Sequence, residues 1–85
     1  MQLGIYSLEK VLYNGAAREV NCRTRSGEIT ILDHHEPLIT ILDKGVMKVV
    51  DENDTEHYFP VASGFLEMNS HNEAKILVEE MPETK

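Results

Sequence analysis

The side chains in this sequence best suited to binding a metal or moving a proton are His34, His35, His57 and His71, joined by a single cysteine, Cys22. A zinc site needs three or four ligands converging on one ion, and closely spaced pairs such as HxH, HxxxH or CxxC usually mark it. None of these spacings occurs. His34 and His35 are adjacent, so on an extended chain they point to opposite sides and do not easily share an ion. Two readings stand side by side: solvent-facing loop histidines, and a small metalloprotein using His34, His35 and their acidic neighbours. Nucleophilic chemistry fares no better. Ser26, Ser63 and Ser70 lack the GxSxG context that exposes a catalytic serine on a sharp turn, and no GxGxxG or GxxxxGK loop is present to cradle a phosphate. Carboxylate pairs are plentiful, but in so acidic a chain they form a solvated face. No catalytic residue and no cofactor is assigned, which leaves a binding or structural module.

The charge balance narrows the partners. Eight Lys+Arg stand against 15 Asp+Glu, a formal net charge of -7. Such a surface repels phosphate backbones and anionic headgroups. The basic cluster Arg18, Arg23 and Arg25 is interleaved with Glu19 and Glu28, and the aromatic residues Tyr6, Tyr13, Tyr58, Phe59 and Phe65 are too few for a base-stacking platform. Nucleic acid is therefore not an expected partner. One cysteine excludes an intrachain disulfide framework and points to a reducing compartment, with Cys22 as a small strand residue. No stretch approaches the roughly 20 apolar residues that span a bilayer. The opening MQLGIYSLEK lacks the basic and apolar regions of a signal peptide, so no direct membrane insertion is expected.

The elements that must position these residues are short strands. Gln2 to Ser7 and Val11 to Tyr13 read as extended pieces, with Leu8-Glu9-Lys10 between them and a turn at Asn14-Gly15. Ala17 to Arg25 reads as an exposed strand with one weakly apolar face, broken by Ser26-Gly27. Glu28 to Leu32 alternates, with Ile29 and Ile31 on one face. Asp33-His34-His35-Glu36-Pro37 is a polar loop that Pro37 keeps extended. Leu38 to Leu42, Val46 to Val50, Thr55 to Ala62, Phe65 to Met68 and Ala74 to Val78 follow, divided by polar turns, with Ser63-Gly64 permitting a bend or bulge. Nine or ten short strands with turns every 8 to 12 residues, roughly, predict an all-β fold, a small two-sheet β-sandwich. Residues 1–80 form the domain and 81–85 a short acidic tail.

Three stretches carry a family resemblance in collinear order. SGEITILDHHEPLITILDKGVMKV resembles the signature G-E-x-G-I-L-P-G-H-A-P-L-L-T-x-L-x-x-G of the epsilon subunit of F-type ATP synthases. MQLGIYSLEKVLYNG is similar to that family's opening strand pair, and VASGFLEMNSHNEAKILVEE to its V-S-G-G-F-L-E-V-x-x-N-x-V-x-V-L-x-(E/D). The likeness runs from Gln2 to about Glu80. Thr30 stands where the family usually has Gly, Asp33-His34 replaces Pro-Gly, and Glu36 replaces Ala. The loop before Pro37 is thus more polar than the family norm.

The resemblance implies a non-catalytic central-stalk subunit of the rotor, docking on the gamma subunit and the c-ring to couple ion translocation to ATP synthesis or hydrolysis. It implies a place peripheral to the bacterial inner (plasma) membrane, on its cytoplasmic face. Carried over by position, Glu28 and His35 match c-ring contacts, while Ser7, His35 and Thr40 match gamma contacts. Both c-ring residues are expected at one end of the sandwich. Family members carry a C-terminal helical hairpin that can inhibit ATP hydrolysis. The seven residues from Glu79 to Lys85 are too few for a stable helix, so no such inhibition and no nucleotide binding are expected of these residues. An unrelated β-sandwich binding module, using the loop Asp33–Glu36, is the alternative.

Overall fold

Two strands run much longer than the local pattern predicts, and they organise the molecule. The computed structural model describes residues 1–81 and contains seven strands: β1 (Gln2–Tyr6), β2 (Val11–Thr24), β3 (Gly27–Leu32), β4 (Leu38–Leu42), β5 (Gly45–Asp51), β6 (Glu56–Met68) and β7 (Glu73–Glu80). The all-β sandwich expected from the sequence is present. Its strands number seven rather than nine or ten, because β2 and β6 each join segments that read as separate. The expected tail, 81–85, lies outside the described residues apart from Met81.

Each long strand changes its buried side partway along. In β2 the buried positions are Ala17, then Val20, Cys22 and Thr24; in β6 they are Val61, then Leu66 and Met68. An extended chain alternates with period two, so an odd-to-even switch needs an extra residue. The register shifts between Ala17 and Glu19, and again between Val61 and Ser63, supply it. These bulges let one strand serve two layers. One layer holds β3, the second half of β2, β5 and the first half of β6; the other holds the first half of β2, β1, β7, the second half of β6, and β4. The pairings β1–β2, β2–β5, β5–β6, β6–β7 and β7–β1 form a closed circuit, with β1–β7 the one parallel pair in it. β3 and β4 hang from that ring.

Asn14-Gly15 is not a turn. It lies inside β2, where Asn14 pairs with Gly4 and Gly15 with Leu3. Ala17 to Thr24 is likewise no exposed strand: Ala17 and Val20 are fully buried and Cys22 is nearly so. The turns at Ser7–Lys10, Ser26-Gly27 and Asn69–Asn72 fall as expected, the first closed by the Ser7 amide on the Lys10 carbonyl at 2.9 Å. The core between the layers is built from Leu3, Ile5, Val20, Ile31, Met47, Val49, Leu66, Met68 and Ile76, all under 2% exposed.

Candidate docking surfaces

Sequence parity sends one set of apolar side chains outward. In β7, Ala74, Ile76 and Val78 are buried, so Leu77 faces solvent. In β4 the buried end residue is Leu42, so Ile39 and Ile41 face outward. Register then aligns these residues across the layer: Ile41 pairs with Phe65, Phe65 with Leu77, Leu77 with Tyr6, and Tyr6 with Val11. Ile41 is 49% exposed, Phe65 41%, Leu77 51% and Val11 58%. Single exposed apolar residues are normal, whereas a contiguous cross-strand row is a patch of the kind that marks interaction surfaces.

Two of the three expected gamma-contact residues adjoin this row along the chain. Thr40 precedes Ile41 at one end, and Ser7 follows Tyr6 on the far side of Leu77. Ser7 shapes the turn there, its Oγ accepting from the Glu9 and Lys10 amides at 3.3 Å. That turn lifts Leu8 fully into solvent. Between the turn and the row lies an open hollow of about 200 Å³ lined by Tyr6, Ser7, Leu8, Ser63, Gly64 and Leu77 among others. Thr40 itself faces the inner side of β4 and is half-buried. The sequence singled out Ser7 and Thr40 but not the neighbouring row Ile41, Phe65 and Leu77. The available signal was a leucine in the outward phase of β7, flanked by Lys75 and Glu79.

Glu28 and His35 are not brought together. Glu28 pairs with Arg23 beside the β2–β3 hairpin, where Gly27 takes φ 119°. His35 lies in the loop leaving the opposite end of β3, so the strand stands between them. The two do not form one end of the sandwich. The His35 loop is held in place by its own chain. The His34 amide donates to Asn72 Oδ1 at 2.7 Å, Asn72 Nδ2 donates to Asp33 Oδ1 at 3.3 Å, and the Met1 amino group also bonds Asp33. These donors, the amino group first and Asn72 second, hold the Asp33 carboxyl below its ordinary range. His35 Nδ1 contacts the Glu36 carbonyl at 2.7 Å. The Asp33 carboxyl, the His34 amide and His35 Nδ1 are thus engaged internally, while the His34 and Glu36 side chains are exposed.

Among the described residues, no group of three His, Cys, Asp or Glu is placed to hold a metal ion. His57 is turned instead to Asp51, Nε2 to Oδ2 at 2.8 Å, and meets Tyr13 edge-on at 5.4 Å. Cys22 is 3% exposed. Burial pushes its thiol up to about 11, with the Glu28 charge adding to the effect, so it holds little thiolate and packs as a small apolar residue.

Comparison with known proteins adds a family. The model of the ATP synthase, Delta/Epsilon chain, beta-sandwich domain matches residues 1–83. The chain is 38% identical over 71 residues to an ATP synthase epsilon chain of Acinetobacter baumannii (strain SDF), covering 84% of this chain and 51% of that one. It is 35% identical over 71 residues to the ATP synthase epsilon chain of Alkalilimnicola ehrlichii, with the same coverage. It therefore spans about half the length of the curated relatives it matches. Its fold is similar to that of a chain in the cryo-EM structure of Euglena gracilis mitochondrial ATP synthase, with TM-score 0.88 at 21% identity, over 96% of this chain and 52% of that one. It is also similar to a chain in the central stalk and c-ring of the Tetrahymena thermophila mitochondrial enzyme, with TM-score 0.81 at 15% identity, over 94% and 63%.

Proposed function

Because the chain belongs to the Delta/Epsilon-chain β-sandwich family of ATP synthases, we propose that it is the sandwich of a bacterial epsilon subunit, a non-catalytic joint of the central stalk. In this role it docks on the gamma subunit and on the c-ring, peripheral to the plasma (inner) membrane at its cytoplasmic face, and so helps couple ion translocation to ATP synthesis or hydrolysis. No described helix is long and apolar enough to cross a membrane.

The observation that carries the proposal is the outward row Ile41–Phe65–Leu77–Tyr6 running between Thr40 and Ser7. Ser7 adjoins this exposed apolar row directly, and Thr40 adjoins it along the chain while facing the inner side of β4; a contiguous apolar row is the kind of surface that supports a protein contact. His35, next to the start of β4, extends that footprint along one side. Glu28 lies at the β2–β3 hairpin, which meets β4 at its Leu42–Asp43 end, and we assign the c-ring contact to that end. His35 is then a gamma-side residue only.

Co-purification with the gamma subunit and c-ring of the same enzyme tests this. The unaltered chain is expected to assemble with both. Leu77→Ser or Ile41→Ser changes outward side chains, so the fold should persist while gamma affinity drops about 10- to 100-fold, in the range of interface hot spots. Undiminished gamma binding by both variants, with the fold intact, removes the row from the interface. No binding by the unaltered chain removes the function. The alternative binding module would have to use the exposed His34 and Glu36 side chains, since Asp33 and His35 are bonded to Asn72, Met1 and the Glu36 carbonyl.

A further inference from the structure

β4 is paired along one side only. All five of its residues face β6, from Leu38 opposite Met68 to Leu42 opposite Gly64. On its other side the pairing is confined to the end, where Leu42 meets Thr24 and the Asp43 amide reaches the Arg23 carbonyl at 2.8 Å. Among the described residues, no strand lies against the free side of Leu38–Ile41.

Open edges normally carry protection: a charge, a proline, a bulge, or a covering segment. The circuit strands are paired on both sides over part of their length only: Val11–Ala16 of β2 pair with β1 alone, and the start of β6, which carries Glu56 and Pro60, pairs with β5 alone. β3 is also paired on one side, and it carries Glu28 and the polar Thr30. β4 reads Leu-Ile-Thr-Ile-Leu, has no charge or proline, and keeps an unbroken register with β6. Its outward residues Ile39 and Ile41 are 65% and 49% exposed. Its inward residues Leu38 and Thr40 are only half-buried, although they point to the core side. One more strand beside β4 would cover both and would carry the apolar row Tyr6–Leu77–Phe65–Ile41 onward.

We infer that β4 is a site of strand addition, and that the occupant is an extended segment of the gamma subunit. This rests on the central-stalk reading above and specifies how that partner engages. Three observations select the occupant. The free edge is continuous with the row assigned to gamma. Thr40, matched to gamma by position, sits at the centre of β4. Glu36 and Asp43 bracket the strand, so the incoming segment is one with β-branched or apolar residues at alternate positions and Lys or Arg near its ends. A second copy of this chain is a poor occupant, since each copy carries a net charge of -7.

Amide hydrogen exchange of the chain, resolved residue by residue by NMR with and without recombinant gamma, distinguishes the outcomes. In the free chain, alternate β4 amides bond to β6 and exchange slowly, while the remainder face the open edge and exchange fast. Strand addition slows that fast set by about tenfold or more on gamma binding. If gamma binds, by calorimetry, and the fast set stays fast, docking uses the sheet face alone and this inference fails while the stalk function stands. If gamma does not bind at all, the function itself fails. If the fast set becomes slow with rising concentration of the chain alone, and sedimentation shows a dimer, the occupant is a second copy and the inference is overturned. Ile41→Lys, a charge placed on the edge, should abolish the slowing in the complex.

Discussion

At the scale of single residues, Asp51 shows how much one carboxylate can organise. Its Oδ1 accepts from the Asn53 and Thr55 amides at 2.8 and 3.0 Å, and its Oδ2 faces His57 Nε2 at 2.8 Å. The His57 hydrogen bond first, and the Thr55 amide second, hold its carboxyl below the ordinary range. A folded-state value below the unfolded one contributes stability above the unfolded value, near 3.9, and that contribution is lost as pH falls through the folded value. Asp51→Asn is therefore expected to be less stable than the parent near neutral pH, with the gap narrowing below about pH 4. Urea midpoints along a pH series check this, and a gap constant with pH would contradict it. Glu28 is tested by charge reversal: Glu28→Lys should weaken co-assembly with the c-ring, more at low ionic strength than at high. Equal assembly at every salt concentration would remove Glu28 from that contact. The sequence showed a polar loop at Asp33–Glu36 but not its fastening, because Asn72, which bonds the His34 amide, lies 38 residues away. Long-range side-chain partners leave no local pattern. The division of Glu28 from His35, by contrast, was legible, since the strand read from the alternation of Glu28 to Leu32 already stood between them.

At the scale of elements, alternation was legible and the bulges were not. β7 reads buried-exposed in strict alternation, and its core face follows directly from Ala74, Ile76 and Val78. β2 and β6 each switch phase at a bulge, and a pattern that changes phase looks like two short strands with a break. Asn14-Gly15 carries a strong hairpin signal, yet β1 pairs across it, and tertiary pairing overrides local preference. The Ser63-Gly64 signal did mark a real irregularity. A Cβ built on Gly64 would lie 2.7 Å from the Leu77 carbonyl oxygen and 3.3 Å from both Leu42 and Val78 side-chain carbons. The backbone oxygen cannot rotate away, so Gly64→Ala must push β6 and β7 apart. A loss of about 1–3 kcal/mol is expected, the usual cost of forcing an extra carbon into a packed site. A denaturant midpoint equal to the parent's would show that the bulge can absorb the methyl group.

At the scale of the whole molecule, composition and periodicity sufficed for the fold class, and collinear motifs sufficed for the family. What they could not reveal was the outer apolar row, because cross-strand neighbours are fixed by register and not by spacing along the chain. Net charge acts at this scale too. With -7 spread over 85 residues, self-repulsion opposes the folded state and salt screens it. Raising NaCl from low millimolar to several hundred millimolar should therefore raise the urea midpoint of the isolated chain, and a fall would mean that attractive pairs such as Arg18–Asp54, 2.7 Å apart, outweigh the repulsion. The closed circuit of five strands also has a mechanical side. β1 and β7 run parallel and pair from Gln2–Glu73 to Tyr6–Leu77, so tension applied at the start of β1 and the end of β7 pulls the two strands past each other. Their hydrogen bonds then bear the load together in shear, instead of being unzipped one after another. Loaded in this direction, the β1–β7 pair offers no seam that can be peeled.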